Sequence, residues 1–232
     1  MADQTSFKSR VRDIAIRYAS QYSSYFVCRS YLLFSDAFKN QPYYIVEAEA
    51  TNYLHLVGVS TGLSAEGFYN KCLNGTLSED DFELSFHGKD PKFSKGSIRQ
   101  KILTLPNMFG ILSSPNLVEE DFKKNVVLCT IASSNTACTL GFIATPYARP
   151  MTLLRGDELD HSKAAPLSLV LSKNRDSEKY SQILVGSDSE LAKRYDSLQE
   201  LISPEIMSRI APPSSIQISS AGLLWDGSCL AR

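Results

Sequence analysis

Phe7, Val11, Ile14 and Tyr18 recur at helical spacing, with Lys8, Arg12 and Arg17 between them. That alternation predicts an amphipathic helix at the start of the chain. Residues 22–38 continue with aromatics and read as helical too, until Asn40-Gln41-Pro42 breaks the pattern. Residues 43–49 then read as a strand, and a turn at 50–52 leads into a second strand over 53–59. Ser64 suits the N-cap of a helix carrying Phe68, Tyr69 and Leu73, with Asn74-Gly75 as its stop. Ser78 followed by Glu79, Asp80 and Asp81 suits another first helical turn, where the dipole favours negative charge. The segment 87–96 reads as a loop. Ser97, with Gln100 three residues on, reads as a capping box opening a helix that Pro106 keeps short.

After Lys123-Lys124 the pattern changes to strands. Residues 126–132 and 137–143 flank the turn Ser133-Ser134-Asn135-Thr136, and shorter strands are expected at 151–154, 167–171 and 182–185. Ser187 and Glu190 form a second capping box, ahead of a helix with Leu191, Tyr195, Leu198 and Ile202 on one face. Pro212-Pro213 marks a break before a C-terminal tail. Helices first and hairpin-connected strands later favour α+β over alternating βαβ units. The expected architecture is therefore N-terminal helices packed on a mainly antiparallel sheet, with a C-terminal helix. The expected organisation is a helical segment over 1–40, a main domain over 41–211 and a tail over 212–232.

Composition narrows this picture only modestly. A chain of 232 residues with 43% hydrophobic and 21% charged residues can bury a real core. Its formal net charge of −1 argues against coating nucleic acid or membrane with the whole surface, so any nucleic-acid site must be a local patch. The N-terminus lacks the basic-then-apolar pattern of a secretory signal, and no apolar run reaches the roughly 20 residues a bilayer span needs. Five cysteines without CxxC spacing read as reduced thiols, so the expected setting is cytoplasmic. Cys129 and Cys138, on neighbouring strands, read as small core hydrophobes. The three histidines have no second ligand at metal spacing, and the common nucleotide, nucleophile and zinc-protease motifs are absent. No cofactor and no metal are expected.

Three sets of residues can carry chemistry. Between His87 and Lys101 lie Lys89, Lys92, Lys95, Arg99 and Lys101, against the single acid Asp90. A helix opening near Ser97 adds free N–H groups, and Gly96 permits close approach, so a phosphate suits this place. The plain alternative is a solvated loop with an ordinary cap. His55 shares a strand face with Tyr53 and Val57 if residues 53–59 are extended. A histidine titrating near neutrality can serve as general acid or base in phosphodiester chemistry; the alternative is a half-buried histidine bonded to a carbonyl. His87 and His161 read as exposed bystanders. The hydroxyls Thr130, Ser133, Ser134 and Thr139 follow strand and turn propensity. Arg155 ends a strand where it can reach a phosphate or simply stand exposed. Glu47 and Glu49 read as solvent-facing, with a role as carboxylate partner of His55 left open.

Several pieces together resemble a known family. They are Asn52-Tyr53-Leu54-His55-Leu56-Val57-Gly58-Val59, the following Gly67-Phe68-Tyr69-Asn70-Lys71, the basic run Lys95-Gly96-Ser97-Ile98-Arg99-Gln100-Lys101, the hairpin Cys138-Thr139-Leu140-Gly141-Phe142, and Pro150-Met151-Thr152-Leu153-Leu154-Arg155-Gly156. Their order is similar to a phage- and mobile-element-associated branch of the barnase–EndoU–colicin–RelE-like nucleases, over roughly residues 25–175. The resemblance implies a compact α+β fold and a metal-independent, toxin-like ribonuclease activity. In such enzymes a histidine or carboxylate activates the ribose 2′-OH while basic side chains stabilise the attacked phosphate. Mapped onto this chain, His55 is the acid/base, and Lys95, Ser97, Arg99 and Arg155 hold phosphate. The implied partner is RNA, with a host or antitoxin-like protein as a further possibility and no membrane. Two rival expectations stand beside this one. The first is a non-catalytic mobile-element protein binding a host protein or nucleic acid through the same fold. The second is an oligomeric scaffold using the aromatic N-terminal helices.

Overall fold

The computed structural model describes residues 6–85 and 91–210. His87, Lys89, Asp90, Cys229 and the expected tail 212–232 lie outside the described residues.

The chain opens with α1 (Phe7–Tyr22), capped by the Ser6 hydroxyl accepting from the Ser9 N–H at 3.0 Å. Val11, Ala15, Ala19 and Tyr22 form its buried face, and Phe7, Ile14 and Tyr18 of the expected apolar face are half-buried beside it. The continuation does not follow the expectation of a second helix. A single wide turn (Ser23–Val27) leads instead into strand β1 (Arg29–Ser35). Every residue of β1 after Arg29 is buried, because the strand is covered on both faces and paired on both edges. Such a strand reads as a continuous apolar run, which periodicity alone does not separate from a buried helix.

Strand β2 (Tyr44–Glu47) pairs antiparallel with β1. The next segment corrects the sequence reading a second time. Residues 52–57 form a short helix, α2 (Asn52–Val57), and not a strand. The Asn52 side chain accepts from the Glu49 N–H at 2.8 Å, and the Tyr53 hydroxyl donates to the Ala15 carbonyl of α1 at 2.7 Å. Tyr53, Leu56 and Val57 are fully buried, which is the i, i+3, i+4 face of a helix. Helix α3 (Ala65–Leu73) is capped by Ser64 as expected and stops before Gly75, which has φ 70°. Ser78 and its acids form the expected first helical turn, a single 3-10 turn closed by a capping box between Ser78 and Asp81.

Helix α4 (Pro91–Thr104) starts six residues before the Ser97 cap expected from the sequence. Pro91 takes the first helical position, where its missing N–H does no harm. Ser97 therefore lies inside the helix, where its N–H is committed to the helical ladder. Leu105–Met108 adds a 3-10 turn at Pro106.

The remaining strands are β3 (Leu117–Glu120), the short pair β4 (Lys123–Lys124) and β5 (Val127–Leu128), β6 (Ile131–Ser134), β7 (Cys138–Ala144), β8 (Ala148–Arg155), β9 (Ala165–Asn174) and β10 (Gln182–Val185). The main sheet has eight strands in the order β1-β2-β8-β7-β6-β3-β9-β10, and β9 pairs with β1 as well. That extra pairing closes seven strands into a ring. All its ladders are antiparallel except the junction of β2 with β8, which is parallel and rests on Val46 opposite Ala148. Short helices α5 (Asp188–Lys193), α6 (Tyr195–Leu198) and α7 (Pro204–Met207) finish the described chain. The architecture is α+β.

Three apolar clusters result. The largest joins α1–α4 to one sheet face through Leu33, Val46, Leu140, Phe142 and Val170. A second uses the alternate residues Leu32, Phe34, Leu169 and Leu171 against α5–α7. The third holds Phe122, Cys129, Ala132 and Leu159. Cys129 and Cys138 are free and buried, as small core residues. The hairpin hydroxyls are structural: Thr139 donates to the Gly156 carbonyl at 2.9 Å and Ser133 to the Leu117 carbonyl at 3.2 Å.

Candidate active site

Helices α2 and α4 lie side by side against β8, and the convergence of these three elements builds the site. His55 stands near the C-terminal end of α2 and is exposed. Leu56 and Val57 behind it are fully buried and anchor the turn from which it projects. Gly58 ends the helix in the left-handed conformation, φ 74° and ψ 38°, with its N–H donating to the Leu54 carbonyl at 2.8 Å. Glycine is the residue that adopts this cap without steric penalty.

The same glycine has a second role. A Cβ at Gly58 would lie 2.5 Å from Lys101 Cδ. The bare backbone is thus the surface across which the Lys101 stem runs. Lys101 Nζ donates to the His55 carbonyl oxygen. The physical content of the His-Leu-x-Gly run is now visible. His55 is presented outward, two apolar residues fix the turn, and glycine admits a lysine from α4 beside the histidine.

Both groups titrate away from their ordinary values. Burial of the half-buried Lys101 ammonium pushes its pKa down from 10.5 to about 8. The pKa of His55 is lowered below 6.5, first because the protein crowds its ring and second because Lys101 carries a nearby positive charge. At neutral pH the pair is therefore a neutral imidazole beside a mainly protonated ammonium. Lys101 has three N–H donors, and only the contact with His55 engages one of them among the described residues.

The other expected site residues divide into two groups. Arg155, at the end of β8, is exposed, and its guanidinium donates to the Gln100 Oε1 at 3.4 Å. Gln100 directly precedes Lys101, so α4 holds Arg155 and His55 through consecutive residues. Ser97 is four residues before Lys101 and lies on the same flank of the helix. Arg99 belongs elsewhere. At 3.6 residues per turn it points roughly 160° away from Lys101, and it stacks over the Phe7 ring of α1 at 5.2 Å. Lys95 is exposed on the side of α4 that Arg99 occupies. The structure thus joins Lys101 to His55 and Arg155 to the neighbouring Gln100, puts Ser97 one turn before Lys101, and leaves Lys95 and Arg99 on another face of α4.

Lys101 is the residue that sequence reasoning counted only as part of a basic run. The available signal was Gly58, whose partner is not legible without the helix packing. The carboxylates Glu47 and Glu49 do not serve His55: Glu49 pairs with Arg149 at 2.9 Å and Glu47 with Arg175 at 3.8 Å. His161 is exposed and pairs with Asp157 at 3.0 Å. Among the described residues, no cluster of three or more histidine, cysteine or acidic side chains converges as a metal site, and no helix is long and apolar enough to cross a membrane.

A family model described as phage-Barnase-EndoU-ColicinE5/D-RelE like nuclease4 matches residues 16–186. The match runs from α1 to the end of β10 and contains every residue of the cluster around Lys101. No curated protein and no solved structure matches the chain.

Proposed function

The chain belongs to this nuclease-like family, and from that premise we propose that it is an endoribonuclease with His55 as its acid/base and Lys101 as its principal phosphate-facing cation. The observation that carries the proposal is the juxtaposition of an exposed histidine of lowered pKa with a lysine that shares its turn.

The chemistry follows from the two protonation states. Neutral His55 accepts the proton of a ribose 2′-OH. The resulting oxyanion attacks the adjacent phosphorus, and the bond to the 5′-oxygen breaks. The products are a 2′,3′-cyclic phosphate and a 5′-hydroxyl end, with the leaving oxygen taking up a proton. Negative charge grows on the non-bridging oxygens during attack. A fixed ammonium in a partly dry setting stabilises that charge more than one in open water. Lys101 supplies this charge, and its two remaining N–H donors are free to face phosphate. Arg155, steadied by Gln100, supports an assignment as a second phosphate contact. In this scheme His55 and Lys101 provide the proton transfer and the charge that the reaction requires, so a divalent ion has no assigned task.

The test is cleavage of single-stranded RNA in the presence of EDTA. Wild-type protein should cleave RNA and leave the all-2′-deoxy strand intact, since the nucleophile is the 2′-OH. His55→Ala should lose roughly 10²–10⁴-fold in rate, the range that general acid–base catalysis contributes. Cleavage that needs added metal, or that survives the substitution unchanged, contradicts the proposal. RNA binding without turnover in the wild type would favour a binding protein built on the same fold.

A further inference from the structure

A concavity that shares no lining residue with the His55–Lys101 cluster lies where the turn after α1 meets β1 and β10. Its volume is about 330 Å³, and its walls include Ser24, Tyr25, Arg29, Tyr31, Ser113 and Gln182. That size falls within the roughly 300–1,000 Å³ typical of small-molecule sites. No aspartate or glutamate lines it.

Arg29 is the unusual member. It is half-buried and forms no ion pair among the described residues. Its Nη1 donates to the Gln182 Oε1 at 2.8 Å and, at 3.5 Å, to the Ser172 hydroxyl. Both acceptors are neutral. A guanidinium has five N–H donors, and those on Nε and Nη2 have no partner among the described residues. Other half-buried arginines of this chain are neutralised: Arg194 by Glu190 at 2.5 Å and Arg175 by Glu47 at 3.8 Å. Arg29 is therefore fixed in direction by neutral groups, and no described carboxylate matches its charge beside the cavity.

The other walls complement that charge. Tyr31 is buried and its hydroxyl donates to the Tyr25 carbonyl, which locks its ring against the turn. Tyr25 is 43% exposed, leans on Phe109 at 5.8 Å between ring centroids, and its hydroxyl is unengaged among the described residues. The Ser113 hydroxyl is likewise free there. A cation with spare donors, free hydroxyls and two aromatic walls match an anionic group carried on a flat ring.

We infer that this pocket binds a nucleotide, with the phosphate on Arg29 and Ser113 and the base against Tyr25. A free mononucleotide and a single nucleotide unit of an RNA strand offer the same chemistry. The inference does not depend on His55 cleaving RNA, because its readout is binding.

Isothermal titration of full-length protein with adenosine 5′-monophosphate, inorganic phosphate and a non-cleavable 2′-deoxy hexanucleotide tests it. Adenosine monophosphate or the hexanucleotide should bind at least about tenfold more tightly than phosphate, reflecting base stacking. Arg29→Gln should weaken that binding by about tenfold or more, through loss of charge-assisted hydrogen bonds. Tyr25→Ala should weaken nucleotide binding roughly tenfold and leave phosphate binding unchanged. Since Tyr25 is 43% exposed, this variant keeps the test open should Arg29→Gln fold poorly. Saturation by the monophosphate identifies a free nucleotide as the ligand. Binding of the hexanucleotide alone, lost in both variants, identifies a strand. The inference is overturned if wild-type protein binds neither at millimolar concentration, or if both variants bind like wild type.

Discussion

Lys101 is held where its charge is poorly solvated and where no carboxylate among the described residues relieves it. That arrangement fixes a direction for pH dependence. A scheme needing neutral His55 and protonated Lys101 gives a bell-shaped rate profile. Its rising limb should lie below pH 6.5 and its falling limb near about 8. Stability should move differently. The folded state binds the Lys101 proton more weakly than the unfolded chain does, so the lysine weakens the fold below about pH 8. That penalty fades as pH rises from about 8 towards 10.5. Lys101→Met should therefore unfold in urea at an equal or higher midpoint at pH 7, yet cleave RNA roughly 10²–10³-fold more slowly, as expected for loss of a charge-stabilising donor. A parallel fall in stability and rate would instead mean that Lys101 serves packing. Little of this residue's importance was legible in the chain. His55 is conspicuous as one of few histidines, but Lys101 differs from Lys95 and Arg99 only in which flank of α4 it occupies.

At the level of elements, errors in reading the sequence fell where length and burial defeat periodicity. Residues 29–35 are apolar on both faces because β1 is covered on both, and so they pass for a continuation of α1. Residues 52–57 make fewer than two helical turns, and Tyr53, Leu54, Leu56 and Val57 also suit a strand. The caps at Ser64 and Ser187 were readable because a hydroxyl satisfying an N–H three residues on is a local event. The Ser97 cap failed because a cap signature does not exclude a helix already under way. Gly58 links the two scales. Gly58→Ala would place a Cβ in the left-handed region and against the Lys101 stem. It should lower stability by roughly 1–2 kcal/mol, measured by denaturant titration. It should also slow cleavage beyond what that loss explains, since Lys101 must move. A variant whose rate is normal once its folded fraction is taken into account would separate Gly58 from the chemistry.

For the whole molecule, the ring of strands is secured by few ladder pairs at one junction and by buried polar ties at another. Glu120 of β3 accepts from the N–H groups of Lys39 and Asn40 at 2.6 and 3.0 Å and from the Tyr44 hydroxyl at 2.5 Å. Three donors satisfy one carboxylate, and burial, followed by the bond to Glu120, pushes the Tyr44 phenol up. Glu120→Ala would leave the Tyr44 hydroxyl buried and unpaired, which typically costs about 1–3 kcal/mol, and would remove the acceptor of the more exposed Lys39 and Asn40 N–H groups. Thermal unfolding should show a marked drop in midpoint, and an unchanged midpoint would mean that solvent replaces the tie. The general class, helices on a mainly antiparallel sheet, was legible from the segregation of patterns. Ring closure was not, because it depends on β9 pairing with a strand more than a hundred residues earlier. That closure has a consequence for any cell that makes this chain. Arg29 of β1 sits opposite Asn174 of β9, so neither half of the sequence holds a complete sheet. Two polypeptides divided at the Asn135 turn should each remain unfolded alone by circular dichroism, and regain the native spectrum and RNA cleavage on mixing. The ring of strands is in that sense a coincidence gate, closed only when β1 and β9 are present together.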